Sequence, residues 1–558
     1  MDETLARLAA DYWALQMERS PITGMLIGDF SHTGEIDDLS RAAEDDAIDR
    51  AASLAATAEA IDPGNLTGDE RVTRAVLVED ARTLASELST RPAEMAVDHT
   101  MGLHVVLLQL AGHVVAPTPE VADFVVGTWS RMGTMFRQAV ERLRQGVAKG
   151  RTPPRLAIER TIAQIDEYLA SEVSDDPFAR PAAPAAFDRV AEVNWRDRLN
   201  RQVVDVIRPA YAAYRDALRA EVLVHGRPEE RSGLCWLEDG EQAYAAAIRR
   251  HTTMDPTPLA VHHIGLEEIA GLEDEYRRLG TGPLETGDVA EMYRRLRDDA
   301  ALRFSTREEV LEAAHGAMER AREALPGWFG RLPGIGCEMA EIEGAGASDS
   351  TLAFYLEPAM DGSRPGTYFV NTSRPSIHTR YEAEALAFHE SIPGHHLQIA
   401  IGQEVDGLPD FRRHAAMTVF VEGWGLYAER LADEMGLYTS DLSRLGVLSF
   451  DSWRAGRLVV DTGIHALGWS RRQAIDFLTD NSPQVDANVA NEIDRYIGWP
   501  GQALAYKLGQ REIRRIRAAA EQQLGTGFDV RAFHDVVLGS GPVPVAVLEE
   551  VVTQWATR

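Results

Sequence analysis

Cysteine is almost missing from this chain: 558 residues contain two, Cys235 and Cys337. About a hundred residues apart, they supply no zinc-ribbon spacing and suit a reducing compartment better than a disulfide framework. Positive charge is also short. Lys and Arg number 57 against 87 Asp and Glu, a net charge of −30. That balance argues against a nucleic-acid partner, because phosphate contacts need a basic surface, and it favours solubility. No run of about twenty apolar residues occurs, so no membrane span is expected. The opening residues MDETLAR have neither a basic nor an apolar leader region, which makes the cytoplasm the expected compartment. Internal repeats and low-complexity tracts are lacking too.

Strand signals are sparse, and helical ones dominate. Residues 188–224, 258–279 and 288–323 read as amphipathic helices, rich in Ala, Leu, Glu and Arg with few breakers. The expected fold is mainly α, one large helical body. The clearest strands, 351–356 and 366–371, flank a turn-rich stretch at 358–365 and predict a β-hairpin. Loops at 174–186 and 325–346 suggest regions 1–174, 175–345 and 346–558, all of which can be lobes of one fold.

The hairpin precedes HESIPGHH, residues 389–396, which puts three imidazoles and a carboxylate into eight residues. This is nearly the HExxH pattern, in which two His four apart on one helical face bind zinc and the Glu activates water. Four after His389, however, stands Pro393. In an unbroken helix the sixth residue on is rotated by roughly 600° and the seventh lies about 10.5 Å along the axis, so neither later histidine would share an ion with His389. Proline removes the bond to the His389 carbonyl, and Gly394 tolerates almost any backbone angle. A bulge or kink is therefore expected, returning His395 or His396 to His389. Upstream, Thr379 with Glu382 three later reads as a capping box.

Catalytic zinc takes three protein ligands and leaves one position for water. Glu422 is the candidate third ligand, 27 residues after His395, far enough for a second helix to return. The glycines flanking Trp424 would let that helix pack closely, and Glu429, two turns on, can hold a ligand histidine or meet a substrate. Its plainer reading is a salt-bridged helix residue.

The runs HESIPGHHLQ at 389–398, EGWGLYAERLADEMG at 422–436 and YIGWPGQALAYKLGQREI at 496–513, with LQMERSP at 15–21 and YFVNT at 368–372, resemble the bacterial family known as domain of unknown function 885. The resemblance covers most of the chain. It implies a distant, gluzincin-type zinc metallopeptidase with a ligand Glu on a later helix. Analogy with Gly-His in mostly helical oligopeptidases favours His395 as second ligand, with His396 the runner-up.

The expected activity is thus a zinc-dependent hydrolase. Its metal set is His389, His395 and Glu422, with Glu390, beside a ligand and unable to share its face, as the base. Short peptides are the substrate size that the resemblance implies. An oxyanion donor is also required. Asp461 and His465, four apart, could pair on one helical face; Tyr496 and Tyr506 flank a break at 498–502. The resemblance ranks Tyr506 first, so His465 and Tyr506 join Glu390 as catalytic candidates. Of the other histidines, His99, His104 and His113 lie in an apolar run and read as core residues, and His262-His263 has no carboxylate nearby at ligand spacing. Two alternatives use other chemistry: a ferrous non-haem enzyme with the same two His and one Glu, and a metal-free binding scaffold.

Overall fold

Helices form where apolar residues recur at helical spacing between capping residues. The helix Pro258–Gly280 is representative: Thr257 caps it, accepting from Ala260 N at 3.2 Å, Pro258 takes the first position, and Val261, Gly265, Ile269, Leu272 and Tyr276 line its buried face. The computed structural model describes residues 1–342, 351–359, 362, 364–415 and 417–557, and it is mainly helical, as the composition predicts.

The long helical stretches are more broken than their composition suggests. Residues 189–222 run as Arg189–Gln202 and Arg208–Ala217, with π turns at Val203–Ile207 and Leu218–Val222. Pro209 cannot donate to the carbonyl four residues back, and the first π turn lies where that bond is lost. The expected single helix at 288–323 is two, Val289–Asp298 and Arg307–Ala324. A capping box of Thr306 with Glu309 restarts the chain there.

At the centre lies the long helix Asp441–His465, from Leu445 onward buried at every residue except Trp453. A helix enclosed on all sides must carry its polar groups into the interior, and this one carries Asp451, Arg454, Arg457 and Asp461. Pro258–Gly280 packs along it closely: a Cβ on Gly265 would stand 2.6 Å from Val459 and 3.0 Å from the Ala455 carbonyl.

The expected hairpin forms. Its strands, β2 (Ala353–Leu356) and β3 (Gly366–Val370), pair antiparallel with Ala353 opposite Val370. Part of the turn between them lies outside the described residues. A third strand, β1 (Cys337–Glu341), pairs parallel with β3 in the order β1-β3-β2. The sequence pattern places β1 in a boundary loop, because five residues among Gly and Pro give little alternation to detect.

One buried apolar cluster gathers Leu5, Leu8 and Tyr12 with Phe388, Trp424, Tyr427 and Ala556, so the two ends of the chain share a core. Another runs from Ile22 to Val222 and crosses position 174. The boundary expected at 345/346 lies outside the described residues.

Candidate metal centre

The motif helix, Ala383–Glu390, begins later than the sequence predicts. Thr379 Oγ1 donates to Glu382 Oε2, but Glu382 sits at the N-cap without a capping bond. Its other oxygen accepts from Ser449 and Gln484. The buried polar contacts to the long helix thus displace the expected capping box.

After Glu390 the helix stops outright, where a bulge or kink was expected. Ser391 leaves helical geometry (φ −106°, ψ −105°), the Ile392–Pro393 peptide is cis, and Gly394 (φ −82°, ψ −128°) leads into a second helix, His395–Gln403. Glycine is required at 394 by space: a Cβ would stand 2.0 Å from the His389 carbonyl oxygen and 2.3 Å from that of Phe388. Trp424 Nε1 holds the turn by donating to the Pro393 carbonyl at 2.9 Å.

The break sends the two later histidines to opposite duties. His395 meets His389 edge to face, with ring centroids 4.6 Å apart. His396 faces the sheet, its Nδ1 2.9 Å from the Tyr355 hydroxyl, and burial pushes its pKa down to about 4.

Glu422 comes from the helix Thr418–Glu434. Its Oε2 lies 3.7 Å from His389 Nε2 and 3.5 Å from His395 Nε2, and the three donor atoms all fall within 4.8 Å of one another. Tetrahedral zinc with bonds of ~2.0–2.2 Å sets its donors about 3.3–3.5 Å apart, so the cluster fits an ion after small adjustments. Two further observations agree with that fit. Glu422 Oε2, which faces both imidazoles, is buried with no hydrogen-bond partner, and the donor set matches the His₂Glu type of zinc site.

Glu429, on the same helix and fully buried, accepts from His389 Nδ1 at 2.8 Å. This fixes the ring so that Nε2, the nitrogen a metal would take, faces Glu422. Burial lowers the His389 pKa, but Glu422 and Glu429 outweigh it and raise it to about 9. Burial likewise works to raise the Glu422 pKa, yet the two imidazoles hold that carboxylate well below its usual range. A cation entering the cluster would compete with the proton that the two carboxylates favour on His389.

Both glycines flanking Trp424 are needed for close approach. A Cβ on Gly425 would stand 2.6 Å from His389 Cε1, and one on Gly423 would stand 2.6 Å from Gly509 Cα in the helix Leu504–Leu524. Gly425 therefore seats the His389 ring, and Gly423 locks two helices together.

Glu390 is half-buried and takes no hydrogen bond from the described residues. Beside it lies Tyr368 of β3, whose phenol is pushed up by burial and then by the Glu390 charge. Sequence reasoning does not single out Tyr368, and nothing local marks it apart from its place in an alternating strand.

The remaining candidates divide. His465 does not pair with Asp461. Its Nδ1 accepts from Leu234 N at 3.2 Å, its Nε2 donates to the Tyr496 carbonyl at 2.9 Å, and it is 1% exposed. Asp461 instead accepts from Tyr244 at 2.5 Å and from Gly501 N. With both ring nitrogens engaged by main chain and its pKa lowered to about 4 by burial, His465 ties helices together and its one N–H is committed to the Tyr496 carbonyl. Tyr496 is equally committed, to Trp453, Arg457 and Glu492. Tyr506 is freer. Its hydroxyl accepts only long bonds, 3.4 Å each, from Arg495 and Gln502, with Arg457 over its ring at 4.3 Å. Arg495 in turn feels the charge of Glu422, which couples the surroundings of Tyr506 electrostatically to the cluster. The arginines there, Arg454 and Arg457 on the long helix and Arg495 on Asp486–Gly498, were not anticipated; for the first two the available signal was charge within a mostly apolar stretch. His104 and His262 find structural partners in Gln164 and Thr462, both at 2.9 Å.

The fold and site together define an all-helical body, with one small sheet, built around a buried cluster of two histidines and a glutamate. The chain belongs to the bacterial family of proteins of unknown function DUF885, whose model matches residues 21–552. No curated protein matches it. Among solved structures it is similar to a protein from Colwellia psychrerythraea described as a "putative lipoprotein", at 25% identity and TM-score 0.91 over 100% of both chains. It also shares its fold with one so described, of unknown function, from Shewanella oneidensis: 17% identity and TM-score 0.73 over 98% of this chain and 99% of that one. Among the described residues no helix is long and apolar enough to cross a membrane.

Proposed function

We propose that this chain is a zinc-dependent hydrolase, a metallopeptidase cleaving short peptides. The observation that carries the reading is the convergence of His389, His395 and Glu422 with a carboxylate oxygen left unpartnered between two imidazoles. Zinc, when bound there, supplies Lewis acidity and makes water acidic enough to ionise near neutral pH. Glu429 holds His389 in the ligating tautomer, and Gly425 gives its ring room. Glu390, next to a ligand and taking no hydrogen bond from the described residues, takes the proton from the attacking water. Tyr506 donates to the oxyanion, since its two weak contacts can be exchanged for a stronger one. β2 is the outer strand of its sheet, and Tyr355 on it touches His396, next in sequence to His395. Its edge therefore suits an extended peptide near the cluster. Cys235 and Cys337 are both free thiols, which suits a reducing compartment.

The test is Glu390→Gln. The variant should retain its metal by elemental analysis and lose peptide hydrolysis by about 10²–10⁴-fold; a variant as fast as the parent overturns the assigned role. The same donor set also suits ferrous iron, and stoichiometric iron without zinc in protein purified without added metal would sink the peptidase reading.

A further inference from the structure

Most charges buried in the centre of this protein are paired. Asp451 is shared by Lys507 at 2.8 Å and Arg430 at 2.5 Å, while Arg457 and Arg495 both reach Glu492 at 3.0 Å. Arg454 is different. One turn before Arg457 on the long helix and only 5% exposed, it makes no hydrogen bond or ion pair with the described residues, and its Nε and Nη1 are sealed without a partner. What holds it is aromatic: its guanidinium lies 4.4 Å from the ring centroids of both Phe450 and Trp453. Arg457 Nη1 is also buried and unpartnered.

A buried guanidinium with unspent donors is costly unless an anion completes it. Its surroundings say where that anion belongs. The carboxylate acting most strongly on Arg454 is Glu429, which holds His389, and Tyr506 acts on it too. Arg457, one turn further along the same helix, covers the Tyr506 ring at 4.3 Å, so the unspent donors stand one helical turn from Tyr506 and within the field of the carboxylate that holds His389. Stacking on two rings fixes the guanidinium plane, and a planar fork of N–H groups matches a carboxylate. One singly charged group is indicated, because Arg457 and Arg495 already share Glu492 and Arg454 alone has every donor free.

We propose that Arg454, flanked by Arg457 and Tyr506, is the receptor for a free carboxylate on the substrate, so that a peptide is gripped by its C-terminal end. The inference takes peptides as substrates from the proposed hydrolase, but carboxylate recognition itself requires neither metal nor turnover. An amide in the same place would leave the guanidinium unpaired, which is the kind of mismatch that buried polar sites reject strongly.

The experiment uses acetyl-Ala-Ala-Ala as the free acid and as the carboxamide, titrated calorimetrically into full-length protein stripped of metal. The acid should bind on the order of 30-fold or more tightly than the amide, and Arg454→Met should erase that preference. Arg454→Met without peptide should melt no lower than the parent, since the cost of burying a cation with no ion-pair partner offsets the stacking it loses and methionine keeps contact with both rings; a purely structural arginine would lower it. Arg454→Lys keeps the charge without the fork and serves if the methionine variant does not fold; it should lose most of the preference. Equal binding of acid and amide, no binding of the acid, or a preference that survives both substitutions overturns the proposal. So does inorganic phosphate binding through Arg454 where the acid does not. Acid preference without hydrolysis of any peptide would sink the peptidase reading alone, and hydrolysis with no acid preference would sink this inference alone.

Discussion

Gly425→Ala puts the geometry of the cluster to a direct test. The added methyl would lie 2.6 Å from His389 Cε1 and 3.0 Å from each ring nitrogen, whereas carbon atoms settle at about 3.5–4.0 Å. The imidazole must therefore retreat by about 1 Å. It cannot do so freely, because Nδ1 is tied to Glu429 at 2.8 Å and Nε2 faces Glu422. Two opposing effects act on folding. Replacing glycine inside a helix gains about 1 kcal/mol, and overpacking costs about 1–3 kcal/mol, so the melting temperature of the metal-free protein should fall only modestly. Metal affinity should respond far more, by about 10–100-fold, as it does when the support of a ligand histidine is disturbed. Competition for zinc against a chromophoric chelator measures this. Gly271→Ala is the control: it lies within the helix Pro258–Gly280, its new Cβ would meet nothing within 4 Å, and it should leave zinc binding untouched. A Gly425→Ala protein that holds zinc as tightly as the parent refutes the reasoning.

Two further outcomes are expected. His395→Ala should abolish stoichiometric zinc while His396→Ala keeps it, because the second ring faces Tyr355; the reverse pattern in metal analysis would show that the ligands are misassigned. Asp461 should make stability fall with rising pH. Burial raises its pKa from 3.8 to about 7, so between about pH 4 and 7 the folded state keeps a proton that the unfolded state releases. Its stabilising contribution is complete below that window and lost above it, on the order of 4 kcal/mol at most when the window is crossed in full. Asp461→Asn should flatten this slope in denaturant titrations at about pH 5 and 8, and an unchanged slope would place the titration elsewhere.

Much of this protein was legible in the chain because its signals are local. Helical periodicity, the hairpin residues and the compression of His389, Glu390 and His395 into one run are properties of neighbours in sequence. The breaks were less legible: the restart at Thr306 rests on a local capping box hidden inside a stretch of uniformly helical composition, while the strand Cys337–Glu341 depends on a partner elsewhere. The Thr379 capping box failed for the same reason, since buried contacts to Ser449 and Gln484 claimed Glu382. An i,i+4 spacing likewise suggested an Asp461–His465 pair, but Tyr244 and Gly501 took the carboxylate and main-chain groups took the ring.

The sequence by itself determined which residue types stand ready for metal chemistry and that Pro393-Gly394 must interrupt the helix, because a missing N–H and a missing Cβ act within one turn. Only the tertiary structure decided that His395 turns toward His389 while His396 turns away, that Glu422 closes the cluster, and that Arg454 finds no carboxylate partner among the described residues. Those outcomes rest on which atoms from helices tens of residues apart share a few ångströms of buried space, and spacing along the chain does not encode that distance.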